Sequence, residues 1–298
     1  MRHDVLVYDS DDDFARNVGP FVEEALDGGE PVVVVTNSHL RAILGDTLGA
    51  AADVVTFLDR DRFYTRPEAA LAAYDAKLRF LLHHGARSVR VYGELPIRDG
   101  DAHWNSWQRY EAILNRAFAG QPVWIRCGYD ARALPPAVVK GAWRTHRDVH
   151  AQEWQESPHY DDPADIVRAL TPAPEPVDSL RSLPLAEDAR SFRQRLAREM
   201  VEDGVDDISA GEMLVAAGEV LANARRHAGG LISIRVGRVG DGFVCELADS
   251  GGGIDDPLAG YVPPRGGPDG AGLWVARQLT KRLDLLPSSS GLTVRLWV

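Results

Sequence analysis

The nine residues Glu219 to His227, Glu-Val-Leu-Ala-Asn-Ala-Arg-Arg-His, constrain this chain more than any other stretch. Helical spacing sets Glu219, Asn223 and His227 at i, i+4 and i+8, along one face. Leu214, Ala217, Leu221, Ala224 and Ala228 fall on another face at core spacing. The pattern predicts one long helix, opening near Asp207, buried on one side and showing a carboxylate, an amide and an imidazole on another. On a lone helix such a trio reads as a solvated face. The chain downstream argues for a site instead. A hairpin follows, Leu231–Val236 and Phe243–Ala248, with Ile232, Ile234 and Val236 alternating with Ser233 and Arg235. Its second strand runs into Asp249-Ser250-Gly251-Gly252-Gly253, an acid at a strand end followed by glycines that let backbone approach a ligand closely. After a polar Pro/Gly-rich stretch, Asp255 to Gly267, comes Gly270-Ala271-Gly272-Leu273 and an apolar helix expected over Trp274 to Arg282. Glycines at a helix start expose free N–H groups and the positive end of the dipole, a seat for phosphate.

The ordered set Glu219…Asn223, Asp249-x-Gly251-x-Gly253 and Gly270-x-Gly272-Leu273 resembles the N, G1 and G2 boxes of the gyrase/histidine-kinase/MutL (GHKL) ATPase superfamily. Asn223-Ala-Arg-Arg-His227-Ala, Asp249-Ser-Gly-Gly-Gly-Ile-Asp-Asp-Pro and Gly291-Leu-Thr-Val-Arg-Leu resemble its anti-sigma-factor serine/threonine kinase branch. The resemblance spans Val177 to Val298 and implies an α+β two-layer Bergerat fold binding ATP and Mg²⁺. With the chemistry of the side chains, it implies that Asp249 accepts the adenine amino group, which GTP lacks. Asn223 supplies a neutral oxygen to Mg²⁺. Gly251, Gly253, Gly270, Gly272 and Leu273 cradle the nucleotide, Asp255–Asp269 closes as a lid, and Thr293 points in from the last strand to support the adenine. Glu219 orients or deprotonates the serine hydroxyl that attacks the γ-phosphate. His227 stays open between phosphate neighbour and helix C-cap. The implied partners are a sigma factor and a serine-bearing anti-anti-sigma (STAS-type) protein, with a homodimer formed through the ATPase domain.

Two other functions share these residues. A two-component histidine kinase has the same ATP site, but no histidine occurs between His159 and His227, where a phosphoacceptor hairpin belongs. A catalytically silent module that sequesters a sigma factor would not need Glu219 and Asn223 intact. A length of 298 residues fits two domains. The net charge of −11 argues against direct contact with nucleic acid or an anionic membrane. Two distant cysteines, Cys127 and Cys245, form neither a disulfide framework nor a zinc spacing, and with no signal peptide in view a cytoplasmic location is expected.

The front of the chain alternates strand and helix. Strands are expected at Val5–Tyr8, Pro31–Thr36, Val54–Leu58, Val89–Tyr92 and Val123–Cys127. Helices are expected at Phe14–Asp27, His39–Ala51, from Pro67 to His84 and at Trp104–Ala119. The valine run Val32–Val35 reads as a strand buried on both faces. The repeat predicts an α/β domain with a parallel sheet. The acid run Asp9 to Asp13 caps a helix; it lacks the glycine and distal glutamate of a calcium loop. No G-x-x-x-x-G-K-[ST] follows a strand, so a phosphate-binding P-loop is absent. Glu94, just past the fourth strand, sits at the carboxyl edge where open sheets bind ligands. Tyr110 and Asn115 read as packing and capping residues.

Gly93-Glu94, Trp107, Tyr110-Glu111-x-x-Leu114-Asn115, Cys127-Gly-Tyr129-Asp130 and Thr145-His146 resemble the MEDS sensory domain, a RecA-like family, over residues 3 to 155. Gly128 stands where that pattern has proline. The resemblance implies sensing, with a small-molecule ligand near Glu94, rather than chemistry. His146, His150 and Glu153, at i, i+4 and i+7, have a spacing that could hold zinc on one helical face, but no companion ligands lie near them in sequence. The proline- and acid-rich tract after Ser157 reads as an interdomain linker around a short helix at Ala164–Leu170. The expected division is a sensory domain at 1–157, a linker at 158–176 and the ATPase domain at 177–298.

Overall fold

The structure, a computed structural model, describes residues 1–97, 101–264 and 270–298. The chain divides into two compact units, Met1–Thr171 and Pro172–Val298.

The first unit is a mostly parallel sheet flanked by helices. In chain order it comprises β1 (Arg2–Tyr8), α1 (Asp11–Asp27), β2 (Val32–Thr36), α2 (Ser38–Leu48), β3 (Thr56–Asp59), α3 (Arg60–Phe63), α4 (Pro67–His83), β4 (Val89–Gly93), α5 (Asp101–Ala117), β5 (Val123–Asp130), α6 (Pro136–Thr145), β6 (Asp148–His150), β7 (Trp154–Glu156) and α7 (Pro163–Leu170). The strands order as β3-β2-β4-β5-β1-β6-β7, and only the β6–β7 pairing is antiparallel. β2 is buried along its whole length, as a strand covered on both faces requires. On one face α1 and α2 pack Phe14, Val18, Leu40 and Leu44 against Leu6, Val32 and Val34. Ser10 caps α1 by accepting from the Asp13 N–H, so the acid run serves the helix start.

Three expectations need correction here. β6 and β7 extend the sheet past the five strands read from the sequence. The third strand begins at Thr56, because a 3₁₀ turn occupies Gly49–Val54. The short helix expected inside the linker is α7, but its Ile166 and Val167 are buried and residues up to Thr171 group with the first unit.

The second unit comprises β8 (Arg181–Leu183), α8 (Ala189–Glu202), α9 (Asp207–His227), β9 (Leu231–Val239), β10 (Gly242–Asp249), α10 (Ala271–Leu279), β11 (Arg282–Ser288) and β12 (Gly291–Trp297). Its five strands form an antiparallel sheet ordered β11-β12-β10-β9-β8. Along β10 the alternation is clean. Phe243, Cys245 and Leu247 join Phe192, Leu196 and Met200 of α8 and Met213, Ala217 and Leu221 of α9 in one core. Each large aliphatic side chain buried there stabilises the fold by about 1.5–3 kcal/mol. Val244 and Glu246 face the other way. There Val244 meets Val177 and Leu180, and Glu246 accepts from Arg295 (Nη2, 2.9 Å) and Arg235 (Nη1, 3.1 Å) on the strands either side.

The helix expected to reach Arg282 stops at Leu279. The Thr280 hydroxyl donates to Ala276 O at its end, and Arg282 opens β11 opposite Trp297.

Candidate functional site

α9 is capped by Asp206, whose carboxylate accepts from the N–H groups of Ile208 and Ser209. Its inner stripe, Met213, Ala217, Val220, Leu221 and Ala224, is buried, and this fixes the rotation that turns Glu219 and Asn223 to a neighbouring face. That face meets the start of α10. A Cβ placed on Gly272 would lie 3.0 Å from Glu219 Oε2 and 3.0 Å from Asn223 Nδ2. Glycine there lets the helix start come down onto both polar side chains. Gly270, the residue before α10, has a φ of 84°, a conformation that glycine adopts without cost.

A cleft of about 500 Å³ opens between the end of α9, the end of β10 and the start of α10. Asn223, Asp249, Gly251, Gly253, Gly270 and Leu273 all line it, joined by Arg226, His227, Ile254 and Leu292. Six of the expected site residues therefore converge on one space. Glu219 and Gly272 stand directly behind Asn223 rather than in the cleft wall. His227 is resolved as a wall residue, since the helix is closed by the Ala228 N–H donating to Ala224 O. Thr293 does not point in. It shares a face of β12 with Arg295 and Trp297, and β12 reaches the cleft through Leu292. Arg226, given no role from the sequence, lies at i+3 from Asn223, and that spacing was its signal.

Asp249 ends β10, where the register with β9 shifts. Its Oδ1 accepts from the Gly251 N–H at 2.9 Å, which fixes the carboxylate and leaves Oδ2 to accept from a ligand amino group. Two glycines hold this corner. A Cβ on Gly251 would stand 2.8 Å from the Cβ of Ala228, and one on Gly291 (φ 144°) would fall on the Asp249 carbonyl. The first part of the expected lid is fastened down. Arg277 donates to Ala259 O and its guanidinium lies 3.8 Å over the Tyr261 ring, while a Cβ on Gly260 would meet Leu273 at 2.8 Å. Residues 265–269 of that lid lie outside the described residues.

The donor set fits a nucleoside triphosphate with its divalent ion. A carboxylate oxygen stands at one end of the cleft, unhindered glycine backbone lines its middle, and the N–H groups of the first turn of α10, with Arg226 and His227, stand where negative charge would sit. Asn223 would be the protein's ligand to Mg²⁺, which screens phosphate charge when bound.

In the first unit, Glu94 is buried and accepts from Tyr8 Oη (2.8 Å), Tyr92 Oη (2.8 Å) and Thr36 Oγ1 (2.9 Å). Burial pushes its carboxyl above the usual carboxylate range against the pull of these hydroxyls. A second buried cluster lies on the sheet face opposite α1. His3, Glu111, Cys127 and His146 place their donor atoms within 4.8 Å of one another. His3 Nε2 is 3.1 Å from Glu111 Oε2 and 3.3 Å from Cys127 Sγ, and Cys127 Sγ is 3.3 Å from Glu111 Oε2. This corrects the helical trio of His146, His150 and Glu153: α6 ends at Thr145 and His150 lies on β6. His146 faces partners from other elements. Asn115 is no mere cap, since it joins His3 (3.1 Å) to Thr145 O (2.8 Å).

The cleft and its fold define a nucleotide-binding domain of the kinase-like ATPase class. Residues 183–297 match the family model of the histidine kinase-like ATPase domain, and residues 2–147 match MEDS, the methanogen/methylotroph DcmR sensory domain. The chain thus carries a MEDS domain followed by a histidine kinase-like ATPase domain. No curated protein matches it. Together the two domains make it an ATP-binding, kinase-like regulator with a sensory domain. No helix among the described residues is long and apolar enough to cross a membrane.

Proposed function

We propose that this protein is an anti-sigma regulatory factor that binds a sigma factor and, with Mg²⁺-ATP, phosphorylates a serine of an anti-anti-sigma (STAS-type) partner. The observation that carries this reading is the placement of Glu219 beside Asn223, both against Gly272 at the start of α10. A carboxylate there stands next to the expected position of the terminal phosphate. It can hold and deprotonate an incoming hydroxyl for in-line attack. Asp249 Oδ2 holds the adenine amino group, and the α10 N-terminus with Arg226 takes up charge on the phosphates. On this reading the protein works in the cytoplasm, pairs as a homodimer through the ATPase domain, and takes its signal from a small ligand at the carboxyl edge of the first sheet near Glu94.

The histidine-kinase alternative asks for two long helices bearing a histidine ahead of the ATPase. Between Thr171 and the start of α8 the described chain holds only the short strand β8.

The test is phosphate transfer from radiolabelled ATP to a cognate anti-anti-sigma protein, with variants of the two polar residues of α9. Glu219→Ala keeps nucleotide affinity and sigma-factor binding but loses about 10²–10⁴ in transfer rate, the usual share of general-base help. Asn223→Ala loses nucleotide binding and transfer together. Acid-labile label on a histidine of this chain establishes the histidine-kinase alternative. No label on any protein, with sigma-factor binding intact, establishes a silent sequestering module.

A further inference from the structure

We propose that His3, Glu111, Cys127 and His146 form a closed, four-coordinate Zn²⁺ site inside the first unit. The four residues come from β1, α5, β5 and the segment leaving α6, and all four are buried.

The hydrogen bonds around the cluster set the state of both imidazoles. Asn115 Nδ2 donates to Thr145 O, so its Oδ1 faces His3 Nδ1 as an acceptor at 3.1 Å. His146 Nδ1 donates to Ala142 O at 2.8 Å. In the neutral form each ring thus spends its Nδ1–H outward and turns Nε2 inward as a lone pair. Backbone and amide oxygens fix metal-binding histidines in this same way. His146 Nε2 has no hydrogen-bond partner although the side chain is fully buried, and it lies 3.5 Å from Glu111 Oε2.

With both imidazoles neutral and Glu111 ionised, two imidazole nitrogens, a carboxylate oxygen and a sulfur converge, and the Cys127 thiol brings the one proton among them. Four electron-pair donors facing one another without a cation repel, and burial denies them water. A divalent ion resolves this. The thiol gives its proton to solvent, and the thiolate and carboxylate then balance the ion's charge to zero in a dry interior.

The spacing suits the ion. Bonds of about 2.0–2.3 Å in a tetrahedron put neighbouring ligand atoms about 3.3–3.8 Å apart. Four of the six separations, 3.1, 3.3, 3.3 and 3.5 Å, lie within or just under that range, and all six are within 4.8 Å. One thiolate and two imidazoles select Zn²⁺ over Mg²⁺ or Ca²⁺, and four protein ligands mark a structural rather than a catalytic site. The site would pin β1, α5, β5 and the end of α6 together. It stands independently of the kinase reading.

The test uses the full-length chain, free of any histidine tag, loaded with Zn²⁺ or Co²⁺ and passed through gel filtration. Expected are one equivalent of metal by elemental analysis and, with Co²⁺, a near-ultraviolet thiolate-to-cobalt charge-transfer band with the strong visible bands of tetrahedral cobalt. Cys127→Ser removes the charge-transfer band and His146→Gln lowers the metal content, while Cys245→Ser changes neither. The wild-type cobalt spectrum decides the matter even if a variant fails to fold. Folded wild-type protein that retains no metal and shows no charge-transfer band overturns the proposal. So does a band that survives Cys127→Ser.

Discussion

Gly272 lies against Glu219 so closely that a methyl group on it would stand 3.0 Å from the carboxylate oxygen. Gly272→Ala therefore improves helix propensity, by up to about 1 kcal/mol, while pushing Glu219 and Asn223 out of place. The expected result is a thermal midpoint unchanged or raised, with phosphate transfer falling about tenfold or more, since misplacing a reacting group by a fraction of an ångström is enough. Stability and turnover measured on the same preparation check this. A variant that is both stable and fully active would separate Gly272 from the chemistry.

Asp249 lines the cleft and gives one carboxylate oxygen to the Gly251 N–H, leaving the other to accept from a ligand. Asp249→Asn keeps an acceptor for the Gly251 N–H and puts a donor where, on the proposed reading, the adenine amino group donates. Asp249→Ala removes both. Calorimetry with ATP and GTP should find ATP preferred by the wild type, and ATP affinity reduced about ten- to hundredfold in either variant, the worth of a hydrogen bond to a charged group. Only the alanine variant should also loosen the corner at Gly251.

Glu246 is held by arginines on both neighbouring strands, and Arg295 also donates to the Glu175 carbonyl. Removing the acid leaves two cations together on a largely covered sheet face. Glu246→Ala is expected to destabilise the second unit by about 3 kcal/mol, measured by denaturant titration. ATP affinity at the native baseline should stay unchanged, because the pair lies on the face away from the core-side helices.

Glu94 gives the first unit a pH signature. Its folded-state carboxyl is raised by burial, so it binds a proton more tightly folded than unfolded. Its contribution to stability is complete below the ordinary carboxylate range and is lost as pH rises through the raised folded value. Glu94→Gln, which cannot ionise, should flatten that trend. The thermal midpoint of the variant relative to wild type should therefore rise with pH from mildly acid to neutral. A difference that is constant across the series would mean that Glu94 does not titrate between the folded and unfolded states.

Most of the ATPase unit was legible because its signals are local. The 3.6-residue stripe of α9 and the glycines at the ends of β10 and before α10 mark positions where helix and backbone geometry leave few choices. The valine run of β2 told of a two-sided sheet for the same reason. What escaped was non-local. His3, Glu111, Cys127 and His146 sit on four separate segments, so no spacing announces them, and the apparent zinc spacing at His146 depended on a helix that ends one residue earlier. The short helix in the linker tract was legible, but that Ile166 and Val167 bury themselves in the first unit was not, since burial depends on distant partners. Thr293 did carry a local signal: the alternation of Leu292, Val294 and Leu296 with Thr293 and Arg295 already turns Thr293 away from the core face.

The close approach of Gly291 to the Asp249 carbonyl ties the acid proposed to recognise the base to the turn between β11 and β12, more than forty residues downstream in sequence. On the proposed base recognition, nucleotide occupancy is linked to the closure of that hairpin. Fraying β12 releases the acid, and a ligand held by the acid opposes fraying. At a free nucleotide concentration about a hundred times Kd, this linkage is worth about 2.7 kcal/mol of added protection, delivered to a strand that meets the cleft only through Leu292.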